Sequence, residues 1–133
     1  MNTRPLFCMD THAIYWRRIG SSRLSATADQ VFEDAIQDKA ILVVPYVVVA
    51  ELFYLLQKHG QSALFGPLLV DFQNFPYYRL EPLTISDLAA LDTLPEIPEM
   101  HDRLIALAGK RLGATIVTKD EHLCASQQLT CLW

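Results

Sequence analysis

Residues 40–56 read AILVVPYVVVAELFYLL, an apolar run interrupted by Pro45 and Glu51. It falls short of the roughly 20 apolar residues that span a bilayer. It divides instead into two elements. Residues 41–44 (ILVV) form a continuous apolar run, the pattern of a strand buried on both faces of a parallel sheet. Pro45 ends that strand and suits the start of a helix, where no backbone N–H is needed. The helix then runs from about residue 47 to 58, with Gly60 as its stop.

The same alternation extends in both directions. Residues 5–9 (PLFCM) read as a buried strand, and residues 11–18 as a helix carrying Tyr15 and Trp16. After a polar break at 20–23, Ser25 or Thr27 caps a helix reaching about residue 39; Thr27 and Gln30 have capping-box spacing. Residues 62–74 form a further helix, residues 77–83 a third strand, and Ser86 begins a short helix that ends before Pro95. A loop at 96–99 precedes a helix at 102–112, closed by Gly113. Residues 114–118 (ATIVT) are a strand, a turn starts at Asp120, and residues 128–133 are a last, edge strand. Strands alternating with helices predict an α/β fold, a parallel sheet covered by helices on both faces. Residues 1–133 are expected to form one domain.

The composition is globular, with 51% hydrophobic and 20% charged residues. Three cysteines, Cys8, Cys124 and Cys131, give an odd count without CxxC spacing. The expectation is therefore no disulfide framework, a reducing cytoplasmic setting and no membrane anchor or signal peptide. Cys8, His12, His122 and Cys124 lack the short paired spacing of structural zinc. The net charge of −4 argues at first against a nucleic-acid partner. Setting aside four carboxylates that would hold cations brings the balance to zero, so local distribution decides.

In open parallel sheets ligands bind beyond the carboxyl ends of the strands. Asp10 directly follows the first strand, and Asp120 lies just past ATIVT. Glu51 sits early in the helix after the second strand, and Asp102 opens the helix before ATIVT. Helical spacing aligns Glu51 with Val47 and Leu55, inside an apolar stripe, where an unpaired charge is costly. Each acid also has an ordinary role: Asp10 a helix cap, Glu51 a core-edge ion pair, Asp102 a helix-dipole partner, Asp120 a turn residue. Their joint placement at one rim is the functional signal. Two unit charges ~4 Å apart repel by about 4 kcal/mol at an effective dielectric of 20, so such a pocket must protonate or bind cations. Oxygen-only ligands suit Mg²⁺ or Mn²⁺, and phosphodiester hydrolysis is the natural chemistry.

With these residues in view, the sequence resembles the PIN-domain ribonucleases, in particular the VapC-type toxins of bacterial and archaeal toxin–antitoxin pairs. The matching pieces are MDTHAIYW with Asp10, VVVAELFYLL with Glu51, HDRLIALAGKRLG with Asp102 and ATIVTKDEHL with Asp120. The resemblance implies a three-layer α/β/α sandwich and Mg²⁺- or Mn²⁺-dependent endoribonuclease activity leaving 5′-phosphate and 3′-hydroxyl ends. It implies that Asp10, Glu51, Asp102 and Asp120 hold the metal. Thr118, and less directly Thr11, would orient a carboxylate or a metal-bound water. It further implies an RNA substrate, a homodimer and inhibition by a cognate antitoxin protein. Arg17, Arg18 and His101 are not residues the family demands.

Arg17, Arg18, Arg23, Arg103 and Lys119 are candidate contacts to an RNA backbone, against the plainer reading of solvated surface charge. Arg103 could instead pair with a site carboxylate. His12, His101 and His122 are possible proton shuttles, and Glu99 a loop acid near the site. Tyr15, Trp16, Phe53 and Tyr54 read as core more readily than as RNA-stacking platforms, with any exposed ones forming a partner patch. Three rivals stand beside the toxin reading. One is a housekeeping RNA-processing nuclease and another a non-catalytic interaction module on the same fold. The third is a haloacid-dehalogenase-like phosphatase, but Asp10-Thr11-His12 lacks the second acid of that family's DxD.

Overall fold

The computed structural model describes residues 3–133. Its centre is a five-stranded sheet, all parallel, in the order β3-β2-β1-β4-β5. The strands are β1 (Leu6–Met9), β2 (Ile41–Pro45), β3 (Tyr78–Glu81), β4 (Thr115–Val117) and β5 (Cys131–Leu132). The helices are α1 (Thr11–Ile19), α2 (Ala26–Ile36), α3 (Tyr46–Lys58), α4 (Phe65–Asn74), α5 (Ile85–Ala89) and α6 (Met100–Leu112). Short 3-10 turns at Ser62–Leu64 and Leu91–Thr93 precede α4 and follow α5. The architecture is the expected α/β sandwich with a parallel central sheet.

Every residue of β2 is buried, as its unbroken apolar sequence requires. Pro45 closes β2 and is the N-cap of α3. On α3 the fully buried face is Val48, Leu52 and Leu56, while Glu51, Val47 and Leu55 are half-buried beside it. Glu51 therefore stands at the border of the apolar stripe and not within it. Ser25, not Thr27, caps α2: its side chain accepts from Ala28 N–H, and Thr27 lies inside the helix. The helix stops at Ile36, short of the expected end. Gly113 ends α6 in the left-handed conformation, φ +65°, which glycine adopts without a Cβ penalty.

Gly109 brings α6 close to the sheet. A Cβ there would lie 2.9 Å from Cγ1 of Ile116 on β4 and 3.5 Å from Cβ of Cys8 on β1. The Cys8 side chain is fully buried, its Sγ 3.7 Å from the Ile105 carbonyl, and burial pushes its pKa up to about 12. It is an inert core residue and not a metal ligand.

The cysteine expectation is corrected. Cys124 and Cys131 are joined by a disulfide, clamping the segment after Asp120 to β5, and the unpaired cysteine is Cys8. The reducing-compartment expectation rested on unpaired thiols, so that premise is lost. Among the described residues no helix is long and apolar enough to cross a membrane.

Strand order fixes where a ligand can enter. The chain builds β1, β2 and β3 outward in one direction, then returns to place β4 on the other side of β1. The reversal lies between β1 and β4, and a crevice at such a switch point is where open parallel sheets bind their ligands.

Candidate functional site

Asp10 and Thr118 are the first residues past β1 and β4, one on each side of that switch point. Asp10 N–H still bonds to the Val117 carbonyl, at 3.1 Å, so the two strand ends are tied together. Asp10 is the N-cap of α1. Its Oδ1 accepts Thr11 N–H at 2.7 Å, and its Oδ2 accepts the Thr118 hydroxyl at 2.7 Å. The residue is 8% exposed. Burial raises its pKa, while the bonds from Thr118 and Thr11 act in the opposite sense.

Each remaining acid arrives from a different element. Glu51 projects from α3 and accepts the Thr11 hydroxyl at 2.9 Å; burial raises its pKa against that bond. Asp102 stands in the first turn of α6, which does start at the rim. Burial and the charges of Asp120, Asp10, Glu99 and Glu51 push its pKa up to about 7. Asp120 lies in the turn after β4. Its N–H donates to Thr118 Oγ1 at 3.0 Å, and its Oδ1 accepts His122 N–H at 2.8 Å.

All four acids line one open cavity of about 520 Å³, within the range of ligand sites. Its walls also include Thr11, His12, Trp16, Lys119 and His122, with Glu99 and Glu121 adding negative charge. Among the described residues, no three His, Cys, Asp or Glu side chains converge tightly enough to hold an ion as they stand. Mg²⁺ keeps several of its waters and needs only one or two carboxylates, so an oxygen-only donor set around one cavity fits such an ion without closer convergence. Burial first, and then the neighbouring carboxylates, raise the pKa of Asp102, and a cation would offset the second effect.

The secondary candidates separate clearly. Arg17 is engaged by Asp29 and Glu33 and lies over the Phe32 ring; Arg18 bonds Asp71 at 2.8 Å. Arg103 pairs with no site carboxylate. It donates to the carbonyls of Ile97, Leu91 and Pro95 and so staples the loop ahead of α6. His101 Nδ1 is 2.9 Å from Glu99 Oε1, a bond that raises its pKa, and it lines a neighbouring groove with Glu51 and Tyr54. His12 and His122 do line the cavity. Tyr15 is core, at 6% exposed, whereas Tyr54 is 70% exposed on α3.

The sequence reads Trp16 as core, and in the structure it packs against the core only from its rim. It is half-buried and forms part of the cavity wall. The signal was available: His12 and Trp16 are four apart on the helix that Asp10 caps, so they share the face that turns toward the acid.

Comparison with solved structures places the fold. The chain matches one in VapBC2 from Rickettsia felis, crystallised bound to a DNA fragment from their promoter. The TM-score is 0.72 at 17% identity, covering 96% of this chain and 98% of that one. It also matches a chain of FitAcB from Neisseria gonorrhoeae, with a TM-score of 0.67 at 15% identity, covering 96% of each. At such identities the likeness shows the fold, a PIN-like α/β sandwich. No protein-family model matches the chain, and no curated protein matches it. The assignment to the PIN-domain ribonucleases as a VapC-type toxin, drawn from four short motifs, is corrected on that finding. An acid beside an apolar strand or helix is common at the polar rim of a parallel sheet, so the motifs by themselves report this fold and its rim.

Proposed function

We propose that this chain is an Mg²⁺- or Mn²⁺-dependent endoribonuclease that hydrolyses RNA phosphodiester bonds. The observation that carries the reading is one cavity, at the switch point of the sheet, lined by Asp10, Glu51, Asp102 and Asp120 from four separate elements. Asp10, Glu51, Asp102 and Asp120 are the proposed holders of the divalent ion. When bound, the ion supplies an activated water and offsets negative charge on the phosphate.

The chain's own groups orient and tune that set. The Thr118 hydroxyl fixes one oxygen of Asp10, and the Thr11 backbone N–H fixes the other. The Thr11 side chain fixes Glu51. A carboxylate held this way is presented in one orientation, which is what supporting hydrogen bonds around ligating groups achieve. Asp102, with its pKa pushed up to about 7, is an acid whose proton the arrival of a cation would displace.

Fold likeness to chains of VapBC2 and FitAcB supports a biological setting as part of the same proposal: the toxin of a toxin–antitoxin pair, held inactive by a cognate antitoxin protein. Exposed apolar side chains such as Tyr46 and Tyr54 on α3 and Ile85 on α5 would lie in contacts with that protein or with a second copy.

The test is RNA cleavage by the purified chain with Mg²⁺, with Mn²⁺ and with EDTA, alongside Asp10→Asn. Cleavage should require the ion and fall by at least about a hundredfold in the variant. Activity that survives both chelation and the substitution would refute the reading.

A further inference from the structure

The cavity has a composition that poses a problem for any polyanionic substrate. Six carboxylates line it: Asp10, Glu51, Glu99, Asp102, Asp120 and Glu121. Among the described residues Lys119 is the one Lys or Arg in its wall. The two arginines of α1 are committed elsewhere, Arg17 to Asp29 and Glu33 and Arg18 to Asp71. Phosphate–cation pairing, the usual source of nucleic-acid affinity, is therefore scarce here. Uncharged contacts must supply the grip.

One wall offers them. Trp16 is half-buried and lines both the acid cavity and a second cleft of about 490 Å³ formed with Gly20, Ser21, Leu24 and the paired Arg17 and Asp29. It is the ridge between the two. Three neighbours hold its ring. His12, one helical turn away, lies 5.2 Å from it between centroids. Trp133, the first residue past β5, meets it edge-on at 5.7 Å. The ammonium of Lys119, the residue after Thr118, lies 5.8 Å from the ring centroid. The T-shaped contact with Trp133 holds the indole in place. Lys119 forms no ion pair among the described residues, is exposed, and sits at the outer limit of a cation–π contact. It is an occupant that a better-stacking group can displace.

Resting on the ribonuclease reading, we propose that Trp16 is a base-stacking platform for single-stranded RNA. The base next to the scissile phosphate takes the place of the Lys119 ammonium over the indole, and Lys119 turns to the adjoining phosphate. The strand then continues over the Trp16 ridge into the second cleft. Stacking needs a base with a free π-face, so an unpaired strand binds where a duplex does not. Trp16 is in this sense a specificity-determining residue and takes no part in the bond-breaking step.

The test compares Trp16→Phe, which retains a stacking ring, with Trp16→Leu, which fills space without one. Substrates are a fluorescein-labelled mixed-sequence single-stranded RNA and its matched duplex, with KM and kcat measured in Mg²⁺. Anisotropy titrations in Ca²⁺ provide an independent readout of binding. Trp16→Leu should raise KM and Kd for the single strand roughly tenfold, with kcat within about twofold of the parent; Trp16→Phe should stay near the parent. Lys119→Met should reduce the salt slope of binding by about one. Equal melting temperatures of the two Trp16 variants exclude a folding artefact, and the Phe-to-Leu difference is read against them. If the parent cleaves RNA but Leu and Phe behave alike, or the duplex binds as well as the single strand, the platform is overturned and the nuclease reading stands. If the parent neither binds nor cleaves RNA, both fall.

Discussion

Thr118 Oγ1 donates to Asp10 Oδ2 at 2.7 Å, while the same oxygen accepts the N–H of Asp120 at 3.0 Å. One buried hydroxyl thus links two of the four acids across the junction of β1 and β4. Removing it leaves Asp10 without the bond that most opposes the effect of burial on its pKa. Thr118→Val should lower cleavage activity by about 10–100-fold, and Thr118→Ser should restore most of it. The acid limb of the pH–rate profile should move to higher pH in the Val variant. Parallel kinetics on the three proteins check both effects.

The pH dependence of stability has a definite sign. Asp102 has a folded pKa of about 7 against an unfolded 3.8, so between those values the native state binds more protons than the unfolded one. Stability of the metal-free protein should therefore fall as pH rises through that window. The raised values of Asp10 and Glu51 act in the same direction. Because Asp102 is partly exposed, its share is discounted for solvent screening to on the order of 1 kcal/mol. Denaturant melts at pH 5 and pH 8 should show the difference. Asp102→Asn should flatten it, and added Mn²⁺ should raise stability more at the higher pH.

The disulfide makes a separate prediction. Cys124 and Cys131 are seven residues apart, a short loop for which closure entropy gives about 2 kcal/mol. Cys131→Ser, or a reductant, should lower the melting temperature accordingly. The clamp joins the segment after Asp120 to β5, so activity should drop with it. An unchanged melting temperature with and without dithiothreitol would show that the clamp contributes nothing.

Gly109 tests how closely α6 must approach the sheet. A valine there collides with buried Ile116, and that clash outweighs the small gain in helix propensity over glycine. Gly109→Val should cost about 2–3 kcal/mol in urea unfolding. Since β1 and β4 carry Asp10 and Thr118, metal affinity should weaken alongside stability.

Much of this was legible in the residues. The ILVV run and Pro45 define β2 and the start of α3 because strand burial and proline geometry are local properties. Asp10, Glu51, Asp102 and Asp120 share one cavity because Asp10 and Asp120 follow strands and Glu51 and Asp102 lie early in helices whose starts the sequence marks. What was not legible depends on distant partners. Val47 and Val48 are equally apolar, so the buried face of α3 is set only by what packs on it, and Glu51 ends at its border. Two cap residues two apart compete at α2, and Ser25 prevails because the helix starts there first. A pairing of Cys124 with Cys131 has no local signal at a spacing of seven. Nor does the position of Trp16 against Trp133, which requires β5 to lie beside β4.

The return of the chain across the sheet divides the acids evenly: Asp10 and Glu51 come before the connection at 90–99, Asp102 and Asp120 after it. A cut within that connection would leave each half with two acids and an incomplete sheet, since β4 has its place only against β1. On the proposed nuclease reading, cleavage would return only when the halves reassociate, which makes the chain a template for a split enzyme whose activity reports the meeting of two fused proteins.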